Sequence, residues 1–177
     1  MGKLVTYIKP EEFNIILKAE KKKQYKLAYL LGFGSGLRIS EIIGYKRKDG
    51  KEIQPLTPEQ IDLTEKTIRI IGGKGMKDRV VPLFSGFKEE YLKMLPLKIS
   101  RSTLQHRFSV MSQRLLNKKL HFHCLRHGFA VQSVKDGIKL PYLQMALGHS
   151  RLDTTGIYTQ AAPEDMLNDY KKAWGNI

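Results

Sequence analysis

Apolar positions recur at helical spacing over most of the chain. Phe13, Ile16 and Leu17 form one stripe. It follows Pro10 and Glu11-Glu12, a proline at a first helical position with acids in the first turn. A second helix is predicted from about Lys22 to Leu31, with Leu27, Leu30 and Leu31 inward. It is expected to stop in Gly32-Phe33-Gly34-Ser35-Gly36, read as a flexible break. A short helix then carries Arg38 to Ile43 and ends at Gly44. Residues 45–60 are polar, contain Pro55 and Pro58, and read as a loop. The period then changes to two. Thr67–Ile71 and Arg79–Leu83 read as antiparallel strands joined by a hairpin turn at Gly72-Gly73-Lys74-Gly75. Beyond Gly86 helical spacing returns over 87–95, 102–118, 123–136, 141–147 and 163–174. The expected fold class is mainly α with one small antiparallel β-sheet (α+β), as a single domain over 1–177.

Composition narrows the partners. The 177 residues are 41% apolar and carry a formal net charge of +14, a balance that points to a polyanion, most often nucleic acid. No apolar run approaches the ~20 residues that span a bilayer, so no membrane partner is expected. The charge is uneven. Residues 91–135 hold no Asp or Glu, yet contain Lys93, Lys98, Arg101, Arg107, Arg114, Lys118, Lys119, Arg126 and Lys135. A solvated helical face usually mixes signs, so the segment reads as a phosphate-facing surface. Drift in a basic protein is the plainer alternative. The one cysteine leaves no intrachain disulfide, and Met1–Thr6 lacks the apolar core of a signal peptide. The expected location is cytoplasmic, in association with nucleic acid.

Four segments carry candidate chemistry. His121-Phe122-His123-Cys124-Leu125-Arg126-His127 opens a helix. His123, Arg126 and His127 stand at i, i+3 and i+4, and so share a face. A guanidinium, a histidine and a helix N-terminus together suit an oxyanion. A zinc site using Cys124, or a solvated helix start with incidental histidines, stays open on these residues alone. His149 follows the helix-ending Gly148, and Tyr158 lies nine residues further on. Arg38 opens a helix after a glycine break, and Lys74 stands in a glycine-rich hairpin. In isolation each has an ordinary structural reading.

Taken in order, Arg38, Lys74, His123-x-x-Arg126, His149 and Tyr158 resemble the tyrosine recombinase (phage integrase) family. The strings that carry the likeness are Gly36-Leu37-Arg38-Ile39-Ser40-Glu41, Gly73-Lys74-Gly75-Met76-Lys77-Asp78-Arg79-Val80-Val81-Pro82-Leu83, His123-Cys124-Leu125-Arg126-His127-Gly128-Phe129-Ala130, and Leu147-Gly148-His149-Ser150 with Tyr158. The resemblance covers nearly the whole chain, from about Pro10 to Tyr158. The resemblance implies the family's catalytic-domain fold without its N-terminal DNA-clamping domain.

It also implies a mechanism. Tyr158 is the nucleophile and forms a 3′-phosphotyrosyl link to one DNA strand, which is then rejoined to a partner strand. Arg38 and Arg126 hold the phosphate, His123 takes the phenolic proton, His149 donates to a phosphate oxygen, and Lys74 protonates the leaving 5′-oxygen. Glu41, one turn after Arg38, orients the site. No metal and no other cofactor is expected. The implied partners are double-stranded DNA and further copies of the chain, a tetramer on synapsed DNA and a monomer when free. The 163–174 helix is expected to follow the nucleophile and dock between subunits. A type IB topoisomerase and a non-enzymatic DNA-binding module remain as alternatives.

Overall fold

The computed structural model describes residues 6–46, 50, 52–72 and 78–148. Six helices are described: α1 (Pro10–Ala19), α2 (Lys23–Gly34), α3 (Ile39–Ile43), α4 (Arg101–Leu116), α5 (His123–Lys135) and α6 (Leu140–Leu147). Five short strands lie between α3 and α4: β1 (Tyr45–Lys46), β2 (Glu52–Ile53), β3 (Ile61–Asp62), β4 (Thr67–Ile70) and β5 (Arg79–Pro82). The expected class holds, mainly α with small antiparallel sheets.

The start of α1 follows from its sequence. Pro10 needs no hydrogen-bond donor there, and Glu12 reaches back to accept the Lys9 amide at 3.0 Å. Ser100 caps α4 by accepting the Thr103 amide at 3.1 Å. The apolar faces meet in one main core. Tyr29 of α2, Phe108 of α4 and Phe122 at the head of α5 are fully buried there, with ring centroids 5.3 to 6.2 Å apart. Each such ring stabilises the fold by about 1.5–3 kcal/mol through burial. A smaller cluster of Ala130, Val131, Leu143 and Leu147 joins α5 to α6.

Three expectations are corrected. The helix predicted to break at Gly32 continues through Gly34. Its glycines serve close packing: a Cβ at Gly32 would lie 3.1 Å from Leu125 and Phe122, and one at Gly34 would lie 2.6 Å from Phe84. The stretch 45–60 is not wholly loop, since β1 and β2 pair as a hairpin and Pro58–Gln60 is a 3-10 turn. The segment 87–95 forms a 3-10 helix, Glu89–Met94, and no α-helix.

The main sheet has order β3-β4-β5 and is antiparallel throughout. Ile68 faces Val81, and Ile70 faces Arg79. Side chains alternate across a strand, so Ile68, Ile70 and Val81 form the buried face. Arg79 lies on that same inward face. The 163–174 helix and the hairpin tip at Lys74 lie outside the described residues.

Candidate active site

Three arginines converge on the end of α6. A helix leaves its last carbonyls without intrahelical partners, and here side chains take two of them. Arg79 Nε donates to the Ala146 carbonyl at 2.8 Å. Arg38 Nη2 donates to the Leu147 carbonyl at 3.1 Å, and Arg126 Nη2 donates to that same oxygen. Gly148 then closes the helix with φ +58, a left-handed turn that glycine adopts freely. The negative end of the helix dipole thus faces a cluster of cations.

Arg126 is 1% exposed. Besides Leu147 it donates through Nη1 to the Gly36 carbonyl at 2.7 Å. Gly36 has φ +66, and a Cβ there would lie 2.5 Å from the Phe129 ring. Only glycine lets the chain turn this closely beneath α5. The buried charge is therefore held by carbonyls from both sides, as burial demands.

Glu41 anchors the other end of the cluster. Its carboxylate accepts the Arg38 amide and Arg38 Nη1, each at 2.8 Å. Arg79 closes on both oxygens, at 2.9 Å each. Glu41 is 3% exposed. Burial alone would raise its pKa, but the hydrogen bonds and charge of Arg79, with the charge of Arg38, override this and bring it down to about 2.

Arg38 remains half-buried and borders a cleft of about 260 Å³. Arg101 and Gln105 of α4, Phe122 and His123 line it as well. Gln105 accepts the Phe122 amide at 3.1 Å, which ties α4 to the head of α5. His123 is exposed, and its ring lies 4.5 Å from that of His127, edge to face. Burial first, and then the Arg126 charge, hold the His127 imidazole below its ordinary pKa. The cleft therefore combines two guanidiniums, an imidazole and a helix N-terminus, a set suited to an anion.

Of the expected site residues, Arg38 and His123 line this cleft, while Glu41 and Arg126 join it only through Arg38, by the Glu41 carboxylate and the shared Leu147 carbonyl. His123 and His127 share a face as expected. Arg126 turns inward instead, drawn by the Gly36 and Leu147 carbonyls. Lys74, His149 and Tyr158 lie outside the described residues. Arg101 joins the cleft, and its guanidinium also sits 4.8 Å over the Tyr45 ring. Lys93, Lys98, Arg114 and Lys119 are exposed elsewhere. Arg107 is held by the buried Glu20, at 2.6 and 2.8 Å, and Lys118 pairs with Glu12. Cys124 is buried, and burial raises its thiol pKa. Among the described residues no three His, Cys, Asp or Glu are grouped to hold a metal ion.

Arg79 is the residue that sequence reasoning missed. Its signal was present: a charge on the buried face of a strand, in register with Ile70 and two residues from Val81.

The sequence profile of the phage integrase family matches residues 91–165. A tyrosine recombinase XerA from Thermococcus onnurineus is 33% identical over 170 residues, covering 86% of this chain and 56% of the relative. The chain belongs to the tyrosine recombinase family. Its fold matches the catalytic domain of bacteriophage HP1 integrase with a TM-score of 0.65 at 22% identity, covering 96% of this chain and 95% of that one. A XerH site-specific recombinase, solved with its difH substrate before cleavage, matches with a TM-score of 0.61 at 26% identity, over 92% of this chain and 53% of that one. The chain spans about half the length of the curated tyrosine recombinases it matches. No helix among the described residues is long and apolar enough to cross a membrane.

Proposed function

We propose that this chain is the catalytic domain of a site-specific DNA recombinase, with a cleft that holds one phosphodiester for attack by Tyr158. The observation that carries the reading is the placement of Arg38, Arg101 and His123 on one cleft, with Arg126 fixed behind it on the carbonyl that Arg38 shares. Negative charge grows on the non-bridging oxygens in the transition state, and donors fixed beforehand stabilise it most. The arginine cluster is fixed in this sense, because helix-end carbonyls and a buried carboxylate hold it before any ligand arrives. The XerH relative is bound to its difH substrate, which supports duplex DNA as the partner here.

The reaction balances without an external energy source. The Tyr158 phenolic oxygen attacks phosphorus, and the bond from phosphorus to the 5′-oxygen breaks. A 3′-phosphotyrosyl link forms. A phenol has a pKa near 10, so a base must take its proton, and the exposed His123 is that acceptor. Lys74 protonates the departing 5′-oxygen, and His149 donates to a phosphate oxygen. The ester conserves the bond, so a 5′-hydroxyl from another strand reverses the step and exchanges partners. Two duplexes offer four strands to cut, and each cut occupies one tyrosine. The assembly that follows is a tetramer on synapsed DNA, with largely monomeric protein away from it.

Covalent capture tests the reading. Wild-type protein is mixed, in excess EDTA, with a library of nicked duplexes of random sequence, from which the short cleaved end diffuses away. A denaturation-resistant protein–DNA adduct is expected, and sequencing the captured strands defines the site. DNA binding with no adduct at any sequence would leave a binding module instead. Adduct formation without Holliday-junction intermediates on paired sites would point to a topoisomerase.

A further inference from the structure

Arg79 does nothing in the scheme above, yet it touches both Glu41 and the end of α6, two of the supports of the cluster. It projects from the inward face of β5, and its side chain is 9% exposed. Nη1 and Nη2 donate to the two oxygens of Glu41, and Nε donates to Ala146. Each of its three nitrogens thus already serves a protein acceptor. The end of α6 rests on its stem, since a Cβ on Gly148 would lie 3.0 Å from Arg79 Cδ. One side chain therefore joins β5, α3 and the end of α6.

We propose that Arg79 is a positioning residue, which keeps Arg38 available to the phosphate by occupying Glu41 and by fixing the end of α6. The inference rests on the reading of Arg38 as a phosphate ligand. Two physical arguments support it. The first is competition. A carboxylate and a guanidinium prefer a two-pronged pair. With Arg79 on both oxygens of Glu41, Arg38 makes one Nη1 bond to that carboxylate and reaches Leu147 with Nη2. Without Arg79, Glu41 is a buried carboxylate with Arg38 as its remaining guanidinium, and the fork of Arg38 closes on it. The second is charge. Arg38, Glu41 and Arg79 together carry one positive charge at the edge of the cleft. Arg38 and Glu41 alone carry none, so the pull on an arriving phosphate is weaker.

A purely structural role differs in one respect. It lowers stability but leaves each folded molecule with its full rate. The experiment uses the full chain and the duplex recovered by covalent capture, and it reads single-turnover cleavage at saturating DNA, DNA affinity and urea unfolding. Arg79→Lys keeps the charge but loses the fork. This variant, folded, is expected to cleave at least about tenfold more slowly at saturation while its affinity changes by less than about threefold. Adding Glu41→Gln to Arg79→Met removes the carboxylate that captures Arg38, and the double variant is expected to cleave faster than Arg79→Met alone. Should Arg79→Met not fold, the same comparison is made with Arg79→Lys and Arg79→Lys/Glu41→Gln. Wild-type cleavage by folded Arg79→Lys overturns the proposal, as does a double variant no faster than its single parent. Absence of any adduct from the wild type overturns the recombinase reading itself and this inference with it.

Discussion

Arg38 and Arg126 donate to the same acceptor, the carbonyl oxygen of Leu147 at the end of α6. Their positions are therefore coupled through one backbone atom, and the residue that follows Gly148 in the chain is His149. Two of the proposed active-site groups thus hang on the geometry of one helix end.

This sharing makes Arg126 hard to replace. A lysine offers a single charged point and cannot reach both Gly36 and Leu147. Arg126→Lys is expected to lower stability by about 1–3 kcal/mol, because one buried carbonyl loses its donor. Urea unfolding measures that. Cleavage at saturating DNA should fall by about tenfold or more, because Arg126 fixes the Gly36 turn and the Leu147 carbonyl on which Arg38 rests. A folded Arg126→Lys protein with wild-type cleavage would exclude the role assigned to this guanidinium.

Glu41 predicts an acid limb. Its pKa lies at about 2 in the fold against an ordinary 4.5. The folded state therefore binds the proton less readily than the unfolded chain. The stability it contributes is complete above about pH 4.5 and is lost as pH falls towards 2. The size is on the order of 3 kcal/mol. Glu41→Gln should lower stability at pH 7 and flatten this part of the profile. A wild-type unfolding curve whose acid limb is unchanged by the substitution would show that Glu41 does not govern it.

Two arginines of α4 should separate cleanly. Arg101 lines the cleft, whereas Arg107 neutralises the fully buried Glu20. Arg101→Ala is expected to weaken DNA binding and reduce the salt slope by about one, with little change in stability. Arg107→Ala should instead destabilise the fold by about 3 kcal/mol or more, because it strands a buried carboxylate. Fluorescence anisotropy across a salt series and urea unfolding distinguish the two. Equal salt slopes for Arg101→Ala and the wild type would remove Arg101 from the interface.

Much of this site was legible in the sequence, for identifiable reasons. Pro10, the helix-ending Gly148, and the positions of Arg38, His123 and His127 express local rules: caps, turns and one-face spacing. Arg126 broke the last of these because its acceptors, Gly36 and Leu147, are remote in sequence. What was not legible depends on partners distant in the chain. Gly32 and Gly34 looked like a break because their neighbours Phe122, Leu125 and Phe84 are remote in sequence. The acid-free segment looked uniformly available because Glu20 and Glu12, which hold Arg107 and Lys118, lie on α1 and just after it. Strands β1 and β2 span two residues each and are largely exposed, too short for any periodicity. Arg79 was hidden differently. Its alternation with Val81 marks it as inward, but a charge at a strand end ordinarily reads as solvent-facing.

Tyr158 bears the central claim. The substitution Tyr158→Phe removes one oxygen and no charge, so electrostatic attraction to DNA is unaltered. The direct measurement is adduct yield on the captured nicked duplex, run beside binding of the same duplex by anisotropy. The account predicts no adduct from Tyr158→Phe and an affinity within about twofold of wild type, since phosphate contacts dominate binding. An adduct of undiminished yield from the Tyr158→Phe protein would contradict it.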